Sequence, residues 1–184
     1  MLNKSLKTLF IFNGIFVFAG SLLGPLYALY VGTFDKNILS VSVTWASFLA
    51  ATFIFTLIIS KLGDKAKEKE YLLMAGFLVR AVAWFMFIFA VNIFHFVFLQ
   101  VLLGLGEALG TPAFDSIFAE HLDSDKHIKE YSDWKLIVNG TTAVGTIIGG
   151  LVVATFGFGL LFAAMSGLAA VSFLGVLIQP RKLL

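Results

Sequence analysis

Apolar residues run through this chain in six long stretches, not in the two-residue alternation of a strand or the narrow stripe of a soluble helix. They cover roughly residues 8–31, 38–60, 71–91, 94–119, 131–154 and 158–178. Each is close to the ~20 residues that cross a hydrocarbon core as an α-helix. The pattern therefore predicts an all-α integral membrane protein with six transmembrane helices. The connections at 32–37, 92–93 and 155–157 are very short, which makes successive helices antiparallel neighbours. Residues 1–184 read as a single six-helix domain with no soluble domain beside it.

Charge orients the bundle. Of thirteen Lys and Arg, ten (Lys4, Lys7, Lys61, Lys65, Lys67, Lys69, Lys126, Lys129, Arg181, Lys182) fall at the two ends and in the second and fourth connections, against Lys36 alone in the others. By the positive-inside rule the ten mark the cytoplasm, so both termini are expected there, in a cytoplasmic (plasma, or cell inner) membrane. The first stretch is longer than the 7–15 residues of a signal-peptide core and is read as a retained helix.

Composition agrees with lipid as the solvent: 59% of residues are hydrophobic, 13% are charged, and there are 21 Phe. A formal charge of +2 is too small to argue for nucleic acid as a partner. The absence of cysteine rules out disulfides, thiolate nucleophiles and thiolate metal sites.

Small residues suggest how the helices pack, since helices in lipid associate through close approach. Gly20 and Gly24, Gly106 and Gly110, and Gly145 and Gly149 are each four apart. Pro25 and Pro112 remove a backbone hydrogen bond and predict kinks in the first and fourth helices. That correspondence suits a 3+3 inverted repeat, in which the first and fourth helices are equivalent.

Three motifs then point to a family. The run from Ser60 to Lys69 (SKLGDKAKEK) resembles the Gly-x-Leu-Ala-Asp-Arg-x-Gly-Arg-Lys loop of the major facilitator superfamily, matching at Leu62, Asp64, Lys65 and Lys69, with Gly63 between. In the fourth stretch Gln100, Gly104, Gly106, Ala108, Pro112 and Ala113 resemble that family's Arg-x-x-x-Gly-x-Gly-x-Ala run, with Gln100 in place of Arg. In the fifth, Gly145, Gly149 and Gly150 are similar to its Gly-Pro-x-x-Gly-Gly motif, with Thr146 in place of Pro. The resemblance covers the whole chain but half of the family's usual twelve helices. It implies a half-transporter working as a homodimer, or with a second six-helix half, by rocking about a shared site. It also implies a cytoplasmic gate at Gly63, Asp64, Lys65 and Lys69, with Asp64 near a helix N-terminus of the other half.

Four charges lie at membrane depth: Arg80, Glu107, Asp115 and Lys135. Asp115 and Lys135 are near enough to the interface to snorkel and serve as secondary charge partners. Arg80 and Glu107 are deeper and must pair or face a wet cavity, because an uncompensated central charge costs ~2.5–3.5 kcal/mol. Two readings of Glu107 stand side by side: a cavity carboxylate that takes a proton or cationic substrate, or a fixed partner of Arg80 or Gln100. Asn13, Tyr27, Tyr30 and Gln100 could supply neutral substrate contacts or tie helices together.

Enzymatic chemistry finds no support in the motifs, and no metal or cofactor is expected. The serine-protease and phosphate-loop patterns are missing, and His121 and His127 lie in polar loop sequence. The expected function is secondary active transport of a small solute, ion or proton coupled, with membrane lipid around it. The alternative is a non-transporting accessory or assembly subunit, or a truncated remnant of a full-length transporter.

Overall fold

The computed structural model describes residues 4–62 and 68–179 and is helical throughout. Its helices are α1 (Lys4–Ser21), α2 (Tyr27–Val31), α3 (Ile38–Leu62), α4 (Lys69–Phe87), α5 (Ile93–Glu120) and α6 (His127–Leu177). Five helical units are long and apolar enough to cross a membrane: Lys4–Val31, Ile38–Lys61, Lys69–Phe87, Ile93–Glu120 and His127–Leu177.

The first unit breaks where its sequence requires. Gly24 has φ +22°, and Pro25 has no N–H to donate, so a 3-10 turn at Gly24–Leu26 separates α1 from α2. At Pro112, by contrast, α5 continues as one helix, with Pro112 itself on an exposed face. Short polar caps start the helices that follow tight connections. Asn37 Oδ1 accepts from the Leu39 N–H at 3.0 Å, and Asn92 Oδ1 accepts from the His95 N–H at 2.9 Å.

The last two sequence stretches form one helical run of 51 residues, interrupted only at Gly157, where φ is 80° and ψ 179°. That backbone region is essentially reserved for glycine. The expected connection at 155–157 is thus reduced to a single residue. The run doubles back there. Trp134 packs its ring 5.0 Å from Phe10, while Gly175, 41 positions later, abuts the ring of Phe12 on the same turn of α1. In a straight helix those positions would lie roughly 60 Å apart. Arms 127–156 and 158–177 therefore lie antiparallel against α1.

Elsewhere α4 packs on α5 and on α6, and α3 packs on α5. Rings fill the core at both ends: Phe10, Phe114, Phe118 and Trp134 at the Lys4 end, and Tyr30, Phe87, Phe96 and Phe162 at the Gly157 end. Burial is uneven. Of the most apolar 18 residues of α3 only 11% are buried, and 17% in α6, against 44% in Lys4–Val31 and in α4. Phe53 on α3 and Leu136 on the 127–156 arm are 66% and 70% exposed.

Candidate functional site

The deepest charges meet. Arg80 comes from the middle of α4 and Glu107 from the middle of α5, and the Arg80 Nη1 donates to Glu107 Oε2 at 2.7 Å. Thr111, one turn further along α5, donates its hydroxyl to the other carboxylate oxygen at 2.6 Å. The guanidinium carbon also lies 4.4 Å from the centre of the Phe16 ring of α1, a cation–π contact. Arg80 is the more enclosed partner, its side chain 12% exposed against 31% for Glu107.

The geometry explains the glycine repeat of α5 in a way the sequence does not. A Cβ on Gly106 would sit 2.5 Å from Arg80 Cγ, and one on Gly110 would sit 2.8 Å from Arg80 Nη2. The repeat therefore forms a slot for a long cationic side chain as well as a backbone contact. Gly76 of α4 brings the two helices together, since its Cβ would lie 2.6 Å from Gly110 Cα. Arg80 is not fully satisfied: its Nε is buried without a hydrogen-bond partner among the described residues.

Asp115 continues the stripe of Glu107 and Thr111 at four-residue steps and interacts electrostatically with Glu107 and with Lys135 of the 127–156 arm. Lys135 lines an open groove of about 610 Å³ on that arm together with His127, Tyr131, Leu136 and Asn139.

The neutral residues form a second, separate cluster nearer the Gly157 end. Gln100, 2% exposed, donates from Nε2 to the Tyr27 hydroxyl at 2.6 Å. Tyr27 donates to Thr44 Oγ1 at 2.7 Å, and Thr44 donates to the Ser40 carbonyl at 2.7 Å. This one-way relay ties α5, α2 and α3 together beside the Pro25 break. Tyr30 stands among the rings and donates to the Phe87 carbonyl at 2.8 Å. Gln100 thus bonds Tyr27 and not Glu107. Asn13 is half-buried on α1, and none of these hydrogen bonds includes it.

Of the expected gate, Gly63, Asp64 and Lys65 lie outside the described residues. Lys69 donates to Ser116 at 2.7 Å and ion-pairs with Glu120, both on α5. In the fifth-stretch motif, Gly145 and Gly149 abut Ser21 and Leu22 of the first helical unit, whereas a Cβ on Gly150 would meet nothing within 4 Å. Gly150 thus makes no close helix contact within one chain. Thr111, Thr44, Phe16, Gly76 and the packing role of Gly104 were not read from the sequence. Only the four-residue spacing of Thr111 from Glu107 gave a signal. Among the described residues no cluster of three His, Asp or Glu could hold a metal ion.

The family model of the Major Facilitator Superfamily matches residues 9–183. No curated protein matches the sequence.

Proposed function

The chain belongs to the major facilitator superfamily of membrane transporters, and we propose that it is a half-length secondary carrier, crossing the membrane six times with both termini in the cytoplasm. It moves a small solute by alternating access when two six-helix units, here two copies of this chain, face one another. Proton or ion coupling runs through Glu107, and Gly63, Asp64, Lys65 and Lys69 serve as the cytoplasmic gate.

The observation that carries this reading is the Arg80–Glu107 pair in the middle of α4 and α5. A charged pair at that depth is expensive and marks a functional position by default. Its carboxylate keeps 31% exposure and heads a polar stripe through Thr111 and Asp115, so a proton arriving from that side competes with Arg80 for Glu107. The turn at Gly157 supports six crossings, because each arm is long enough to span a bilayer. The exposed apolar faces of α3 and the 127–156 arm support a second unit against them.

Vesicles containing the purified protein and carrying an imposed pH gradient provide the test, with uptake of a panel of radiolabelled solutes as the readout. Wild type is expected to accumulate at least one solute in a gradient-dependent way, and Glu107→Gln to lose that accumulation while remaining folded. Gradient-independent behaviour identical in both proteins would sink the coupling role. One observation favours the non-transporting alternative: Gln100, Tyr27 and Tyr30 direct their polar atoms to one another, to Thr44 and to backbone.

A further inference from the structure

A groove of about 400 Å³ lies where α1 meets both arms of α6, away from the ion pair and the relay. One wall is α1 from Lys7 to Phe18, the second is Ile137 and Thr141 of the 127–156 arm, and the third is Leu168 of the other arm. Lys4, Lys7, Ile11, Gly14 and Phe18 succeed one another at steps of three and four, so they form a single stripe along α1. Gly14 keeps the groove floor low, with Ile137 Cγ2 3.4 Å from where its Cβ would be. Thr141 offers the groove no free donor, because its hydroxyl donates back to the Ile137 carbonyl at 2.7 Å. The groove is thus apolar along its length, with a lysine at one end and an exposed second lysine a turn beyond.

We propose that this groove holds one acyl chain of an anionic phospholipid from the cytoplasmic leaflet, with the headgroup phosphate on Lys7 and Lys4. Length and charge both select that occupant. Lys7 to Phe18 rises roughly 16 Å along the helix, and one leaflet contributes about 15 Å of hydrocarbon, half of the ~30 Å core. The lysines sit where the chain ends and the headgroups begin. Each basic residue at an anionic surface favours binding by about fivefold, so the two together favour an anionic over a zwitterionic headgroup by about 25-fold. The leaflet assignment rests on the cytoplasmic placement of the N-terminus proposed above; the groove and its charge do not.

Native mass spectrometry of the protein released from nanodiscs of equal phosphatidylglycerol and phosphatidylcholine tests this directly. Wild type is expected to retain one lipid per chain, overwhelmingly phosphatidylglycerol. Lys4→Gln with Lys7→Gln should retain a lipid but choose between the two headgroups about equally. Ile11→Trp fills the groove from its exposed rim and should remove the retained lipid of either kind. Leu168→Trp does the same from the opposite wall and serves where Ile11→Trp fails to fold. Equal retention of both lipids by wild type would overturn the proposal, as would an unchanged lipid count in a folded groove-filling variant. Solute uptake plays no part in this readout, so the lipid site and the transport reading stand or fall separately.

Discussion

Arg80 brings five N–H donors into the bundle and finds one carboxylate, one aromatic face and a glycine slot. Removing Glu107 strands that charge. Glu107→Ala is expected to destabilise the folded protein by about 2 kcal/mol in a chemical-denaturation or thermal assay, below the ~3–5 kcal/mol of fully buried pairs because Glu107 keeps partial exposure. Arg80→Met combined with Glu107→Leu should recover most of that loss. A double variant no more stable than Glu107→Ala alone would mean that the pair does not act as a unit. Tyr27 is the middle of the relay, so Tyr27→Phe leaves the buried Gln100 amide without its acceptor and should cost about 1–3 kcal/mol. Asp35, in the connection before α3, accepts from the Ser40 hydroxyl and the Asn37 N–H, which holds its carboxyl below the usual carboxylate range. Its contribution is present above its unfolded value and is lost as pH falls through its lowered folded value. The melting-temperature gap between wild type and Asp35→Ala at neutral pH should therefore close in acid.

At the scale of elements the glycines divide by what a methyl group would meet. On Gly104 it would lie 2.7 Å from Ala51 Cβ and 2.8 Å from the Phe48 carbonyl of α3, neither of which can move cheaply. Gly104→Ala is expected to lower stability by about 1–3 kcal/mol. Gly140 has open space within 4 Å, so Gly140→Ala should raise stability by about 0.5–1 kcal/mol through helix propensity. Thermal unfolding of the two variants side by side checks both signs. Sequence spacing flagged Gly106 and Gly110, but it could not distinguish a backbone contact from a side-chain slot, because that depends on Arg80 of the preceding helix. Gly76 and the packing role of Gly104 escaped notice for the same reason: each has its close partner on another helix. Pro25 announced its break correctly since a missing N–H acts locally, whereas Pro112 sits on an exposed face where the helix accommodates it.

Across the whole molecule, the helical class and the membrane setting were legible because hydropathy is averaged over ~20 residues and survives errors at any one position. The exact turn at Gly157 was not, since a reversal achieved by a single residue's φ of 80° leaves no polar loop to read. The bundle also leaves apolar side chains uncovered on α3 and the 127–156 arm, with Phe53 and Leu136 among the most exposed. Lipid solvates such faces, and in the pairing proposed above a second copy of the chain would cover them. The chain has no cysteine, so single-cysteine variants probe that contact without background. Leu136→Cys and Phe53→Cys are expected to cross-link between copies, and Leu174→Cys on the 158–177 arm to remain uncross-linked. The most direct measurement is the mass of the protein in nanodiscs or detergent after subtraction of lipid and detergent. Twice the 20.1 kDa of one chain is the result that the paired-half account requires, and a single chain's mass would contradict it.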